Sequence, residues 1–95
     1  MLHILINSPC YCNLELLSSM LEHQDDLIAL QDGVLIAIEH NIFLKKINLN
    51  SVMLYVLKED IIARGLSVYI SSQFSIIDYN YFVNLTVKNH KQITW

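Results

Sequence analysis

Residues 51–66 read SVMLYVLKEDIIARGL. Val52 to Leu57 are apolar without alternation, the pattern of a strand buried on both faces, so residues 51–57 are predicted as a strand. The character then changes within one residue. Glu59 and Asp60 sit where a helix N-terminus favours negative charge, and Arg64 sits where a C-terminus favours positive charge. Gly65 follows at the left-handed capping position, and Leu66 supplies the hydrophobic contact beyond it. A doubly buried strand running straight into a helix of one to two turns predicts a βα unit. Such units build a parallel sheet covered on both sides.

The same alternation runs through the rest of the chain. LHILIN (residues 2–7) is a first buried strand, ended by Ser8-Pro9. Asn13 caps a helix carrying Leu14, Leu17 and Leu21 on one face, with Glu15 in its first turn. DLIALQ (residues 26–31) is a second strand, halted by Asp32-Gly33, and VLIAIEH (residues 34–40) is a short helical segment whose Ile and Val also admit a strand. FSIID (residues 74–78) gives a brief fourth strand. Asp78 then caps a helix with Tyr79, Phe82, Val83 and Thr86 on one face, and QITW (residues 92–95) adds a fifth strand. The predicted architecture is one compact, three-layer α/β domain of flavodoxin-like type over residues 1–95, with a mainly parallel sheet of four to five strands. Sites in such sheets gather at the C-terminal ends of the strands, which places Cys10, Cys12, Asp32 and Lys58 on the functional edge.

Composition narrows the partners. Charged residues make up 16% of the chain, against about 25% in a typical soluble domain, and mean hydropathy is +0.39. A small domain with so few charges is expected to hide part of its outside against other chains, as an oligomer or complex subunit. No apolar run approaches the roughly 18 residues of a membrane span. The opening MLHILIN has neither a basic leader nor a small-residue cleavage site, so a cytoplasmic protein with two reduced thiols is expected. Net charge is −3, and no basic run is longer than Lys45-Lys46. Nucleic-acid binding by this chain alone is therefore not expected, since it needs a concentrated positive patch.

The chemistry-bearing residues form no complete constellation. A phosphate or flavin loop after the first strand would be rich in Gly, Ser or Thr, whereas this loop is SPCYC. A phospho-acceptor domain would need acidic residues where Asn7-Ser8 and Leu57-Lys58 stand. Structural zinc needs four ligands; Cys10 and Cys12 are one loose pair, and His3, His23, His40 and His90 are scattered. No metal and no cofactor is expected. His3, on an apolar strand, reads as a hydrogen-bonded structural histidine. Asp32-Gly33 reads as turn chemistry, and Glu59-Asp60 as a helix start. Cys12 and Cys10 are the remaining candidates: a cysteine near a helix N-terminus can gain nucleophilicity, or simply fill space as a small hydrophobe.

Several strings resemble, as a set, the TusB/DsrH family of sulfur-relay proteins. They are MLHILINSP, LLSSMLEHQDDLIALQDGV, YVLKEDIIARGL and IDYNYFVNLTVKNHKQITW, in that order from Met1 to Trp95. The only Pro, the only Arg and both Gly fall inside them. The resemblance implies a DsrE/F/H-type α/β fold and a non-catalytic subunit of a cytoplasmic TusBCD heterohexamer, assembled with TusC- and TusD-like subunits. That complex takes persulfide sulfur from a TusA-like carrier and passes it to a TusE-like one, toward 2-thiolation of the tRNA wobble uridine. The essential persulfide cysteine is implied to belong to the TusD-like subunit. The DsrH branch carries a cysteine early in the first helix, at a position near Ser18, where this chain has no thiol. Cys10 and Cys12 match no family cysteine, so a persulfide-carrier role for either is the rival reading.

Overall fold

Residues 1–47 and 52–95 are described by the computed structural model. Five strands, β1 (Leu2–Leu5), β2 (Asp26–Ala29), β3 (Met53–Leu57), β4 (Ser75–Ile77) and β5 (Gln92–Thr94), form one sheet. Its order is β4-β3-β2-β1-β5 and every pairing is parallel. Among the described residues three α-helices accompany it: α1 (Leu14–Met20), α2 (Lys58–Ala63) and α3 (Tyr79–Lys88). The flavodoxin-like three-layer architecture read from residues 51–66 is therefore present, with five strands; Ser51 itself lies outside the described residues.

Unbroken apolar runs become strands here because both faces of the sheet are covered. β2 is buried at all four positions, and β3 from Leu54 to Leu57. One face carries Leu5, Leu27, Ala29, Leu54 and Val56 and packs against Leu14 and Leu17 of α1, Val34 and Ala37, and Ile61 of α2. The opposite face carries Leu2, Ile28, Tyr55, Leu57 and Ile77 and receives α3 through Leu85, with Phe82 alongside. Each fully buried Leu or Ile contributes on the order of 1.5–3 kcal/mol.

The end of α2 follows its sequence closely. The Leu66 N–H donates to the Ile61 carbonyl at 2.9 Å and the Gly65 N–H to the Ile62 carbonyl at 3.1 Å. Gly65 has φ +66°. Both bonds of the left-handed C-terminal motif are thus made. A Cβ at Gly65 would meet nothing within 4 Å, so the backbone conformation alone sets the cost of a side chain. Gly65→Ala is expected to lower stability by about 1 kcal/mol, read as an earlier urea midpoint with an unchanged m-value.

Other boundaries differ. The first two strands stop at Leu5 and Ala29 rather than at residues 7 and 31; the chain after β2 leaves the ladder at a left-handed residue and folds against the end of β1. The Leu30 N–H donates to the Leu5 carbonyl and the Gly33 N–H to the Ile6 carbonyl. Gln31 takes φ 53°, and a 3-10 helix over Gln31–Ala37 follows. The segment expected over residues 34–40 is therefore helical but starts earlier and is wound more tightly. A three-residue repeat sets Val34 and Ala37 on one buried face.

The face of α3 is also rotated from expectation. Leu85 is buried and Phe82 half-buried, while Tyr79 and Val83 are exposed. Two contacts accompany that roll, one between aromatic rings and one polar. Tyr81 lies 5.7 Å from Tyr55 ring to ring, and Asn89 Nδ2 donates to Asp26 Oδ2 at 3.0 Å, with Lys88 Nζ 3.4 Å from the same oxygen.

His3 is fully buried and is the structural histidine expected. It lies 3.0 Å from Asp25 Oδ2 through Nε2, and accepts at Nδ1 from Trp95 Nε1 at 3.2 Å.

Candidate functional site at the end of strand one

The exit of β1 is tied down by backbone bonds. The Ile6 and Asn7 N–H groups both donate to the Trp95 carbonyl, at 3.1 and 3.3 Å. Ser8 then caps a single 3-10 turn, Pro9–Tyr11. Its Oγ accepts from the Cys10 N–H at 3.3 Å, and its carbonyl accepts from the Tyr11 N–H at 2.9 Å. Pro9 occupies the first position of the turn, where a missing N–H leaves no partner short. The Cys12 N–H closes the turn on the Pro9 carbonyl at 3.4 Å. Asn13 Oδ1 then caps α1 by accepting from the Leu16 N–H at 3.1 Å. The loop is thus a sequence of local caps, and its amides at residues 10, 11 and 12 are committed to its own chain. That geometry opposes a phosphate cradle, which needs free N–H groups.

Both thiols are free and face one cavity of about 290 Å³, whose wall also includes Glu15, Phe43 and Lys46. Lys46 Nζ stands 5.6 Å from the centre of the Phe43 ring, a separation at which the aromatic face attracts the cation. Cys10 is exposed; Cys12 is half-buried and packs against the core. Burial pushes the Cys12 thiol up from its ordinary range, the opposite of an activated nucleophile.

The remaining edge residues do not join the thiols. Asp32 pairs with Arg64 at 2.9 Å across exposed surface, a contact worth well under about 1 kcal/mol. Lys58 is exposed at the start of α2. Asp60 Oδ2 accepts from the Gln31 N–H at 2.6 Å, and Glu59 Oε2 from the Tyr79 N–H at 3.2 Å. The acidic pair therefore both opens α2 and fastens the two segments beside it. Ser18 lies half-buried in α1. Among the described residues no three His, Cys, Asp or Glu side chains are grouped to hold a metal, and no helix is long and apolar enough to cross a membrane. Phe43 and Lys46 were not foreseen as neighbours of the thiols. Only the Lys45-Lys46 pair marked that segment, and nothing local announces that it returns beside α1.

A parallel α/β domain with two thiols in its first βα loop, and no assembled catalytic group among its described residues, is a class defined by fold rather than by chemistry. Similarity supplies the next step. Residues 7–92 match the family described as DsrH like protein, and the chain belongs to that family. It is 58% identical over 95 residues to "Protein TusB" of Buchnera aphidicola subsp. Schizaphis graminum (strain Sg), with both chains covered completely. It is 54% identical to the protein of the same name from Buchnera aphidicola subsp. Acyrthosiphon pisum (strain 5A), and 45% identical to that of Photorhabdus laumondii subsp. laumondii, again over the whole of each chain.

Proposed function

We propose that this chain is a non-catalytic subunit of a TusBCD sulfur-relay complex, working as one DsrE/F/H-like domain over residues 1–95. In this reading it assembles in the cytoplasm with TusC- and TusD-like subunits into a heterohexamer. The complex receives persulfide sulfur from a TusA-like carrier and delivers it to a TusE-like one, for 2-thiolation of the tRNA wobble uridine. The chain itself contacts neither nucleic acid nor membrane. The observation that carries the reading is full-length similarity to proteins named TusB within the DsrH-like family.

Two physical features support it. Large apolar side chains stand in solvent, among them Val68 at 83%, Val87 at 74% and Ile62 at 57% exposure. Partner chains would cover them. Burial raises the Cys12 thiol, the opposite of the shift that activates a nucleophile, which supports a subunit role over sulfur transfer by this residue. A carrier role through Cys10 or Cys12 is the second reading, favoured by the exposure of Cys10 at the C-terminal end of the sheet.

One experiment separates them. The wild-type chain and a Cys10→Ser, Cys12→Ser double variant are co-expressed with both partner subunits, then compared by native mass spectrometry and by thiolation of tRNA. Equal assembly and equal thiolation are expected. A wild-type chain that stays monomeric with both partners present would sink the subunit reading. Intact assembly with lost thiolation in the variant would establish the carrier.

A further inference from the structure

Cys10 and Cys12 share a turn, a cavity and a difference in exposure, and together these define a chemistry that neither thiol has alone. We propose that the two form a redox-active dithiol: Cys10 exchanges with a small-molecule disulfide, and Cys12 resolves the product into a Cys10–Cys12 disulfide.

Reach comes first. Two peptide units hold the Cα atoms within about 7 Å of each other, and the 3-10 turn Pro9–Tyr11 contracts the chain between them further. Disulfides bridge Cα separations of roughly 4.4–6.8 Å. The turn is fixed by the Ser8 cap and by the Cys12 N–H bond to the Pro9 carbonyl. Both residues line the same cavity of about 290 Å³, so the encounter takes place at its wall through rotation of the two side chains.

The order of events follows from access. A thiolate must approach a disulfide in line with its S–S bond, which the exposed Cys10 permits and the half-buried Cys12 does not. Burial also pushes the Cys12 thiol up from its ordinary range, which weakens it further as the first attacker. Lys46 and Glu15 stand on the same cavity wall, so oxidised glutathione, a peptide disulfide with both carboxylate and ammonium groups, meets a charged partner for each.

In the first step the Cys10 thiolate attacks one sulfur of glutathione disulfide. A Cys10–glutathione bond forms, the original S–S bond breaks, and one glutathione thiolate leaves and takes a proton from water. In the second step Cys12 gives up its proton and its sulfur attacks Cys10 Sγ. The mixed disulfide breaks, and the second glutathione thiolate leaves. The dithiol has lost two electrons and two protons, and one glutathione disulfide has become two thiols. A persulfide placed on Cys10 would meet the same attack, with hydrosulfide as the leaving group. The pair would therefore discharge such sulfur rather than store it.

This proposal needs no partner chain, so its outcome is independent of assembly into a relay complex. The reduced full-length chain is incubated with glutathione disulfide, quenched with acid, and its intact mass is followed over time. The wild-type chain is expected to become two hydrogens lighter without accumulating an adduct. Cys12→Ser is expected to stop one glutathione heavier. Cys10→Ser is expected to react at least about tenfold more slowly than wild type, as for a shielded and largely protonated thiol. A lasting glutathione adduct on the wild-type chain would overturn the proposal. So would a Cys10→Ser chain that reacts as fast as wild type.

Discussion

Gly33→Ala is expected to destabilise the chain by more than about 3 kcal/mol, beyond the usual range for an overpacked site. A domain of this size is stable by only about 5–15 kcal/mol, so much of the folded population is at stake. A Cβ at Gly33 would stand 2.0 Å from the Leu5 carbonyl oxygen, 2.7 Å from its carbonyl carbon and 3.0 Å from its Cγ. None of these can withdraw cheaply. Leu5 is fully buried and ends β1, which is held between β2 and β5. Its carbonyl accepts the Leu30 N–H at 3.0 Å, and the Gly33 N–H itself donates to the carbonyls of Ile6 and Leu30. Opening the gap would break these bonds together and displace the exit of β1 that carries the thiol loop. Urea melts of Gly33→Ala and Gly65→Ala side by side provide the check. A Gly33 variant within about 1 kcal/mol of wild type, no worse than Gly65→Ala, would refute the close-approach argument.

Gly33 also shows what the sequence conveys and what it conceals. Asp32-Gly33 after a strand reads as a turn, because Asp-Gly is frequent in turns. The left-handed residue is in fact Gln31, at φ 53°, and the glycine is needed for space against another strand. Composition cannot separate these two uses, since both ask for the same residue. At Gly65 the neighbouring Ile61, Ile62 and Leu66 belong to the same motif and the reading is local, so it succeeded. The strands were legible for a related reason. A segment buried on both faces must be apolar throughout, whatever its partners are. The face of α3 was not legible, because its contacts with Tyr55 on β3 and Asp26 on β2 come from far away in the chain.

The candidate site divides the same way. Ser8, Pro9 and Asn13 announce their caps within a few residues, and the loop forms as they dictate. The placement of both cysteines at the C-terminal end of β1 follows from the fold alone. What the chain order hides is the company they keep. Phe43 and Lys46 arrive from a segment some thirty residues later, and Asp32 and Lys58, although on the same edge, turn to other partners or to solvent.

Asp25→Ala is expected to cost about 3 kcal/mol at neutral pH, because it strips one acceptor from three donors at a buried corner. Asp25 Oδ1 lies 3.0 Å from the Met1 ammonium; Oδ2 accepts from the Glu22 N–H at 2.9 Å and faces His3 Nε2 at 3.0 Å. The His3 tautomer is fixed by its other neighbour. Trp95 Nε1–H can only donate, so Nδ1 must be bare and Nε2 must carry the proton that Asp25 accepts. Asp25→Asn should fail to rescue, since whichever way the amide turns its NH₂ meets a donor. Burial by itself would raise the Asp25 carboxyl, but the Glu22 N–H, His3 and the Met1 ammonium together outweigh it and leave the group below the usual carboxylate range. The folded state therefore binds this proton less readily than the unfolded chain does. Its stabilisation is complete above the unfolded carboxylate value of about 3.9 and is lost as pH falls through the lower, folded value. Urea melts of wild type and Asp25→Ala from pH 7 down to pH 3 should show a gap that is widest at neutral pH and narrows below about pH 4. A gap that stays constant through that range would mean the carboxylate's charge contributes nothing, and the corner would then be held by packing of His3 against Trp95, whose rings lie 6.3 Å apart.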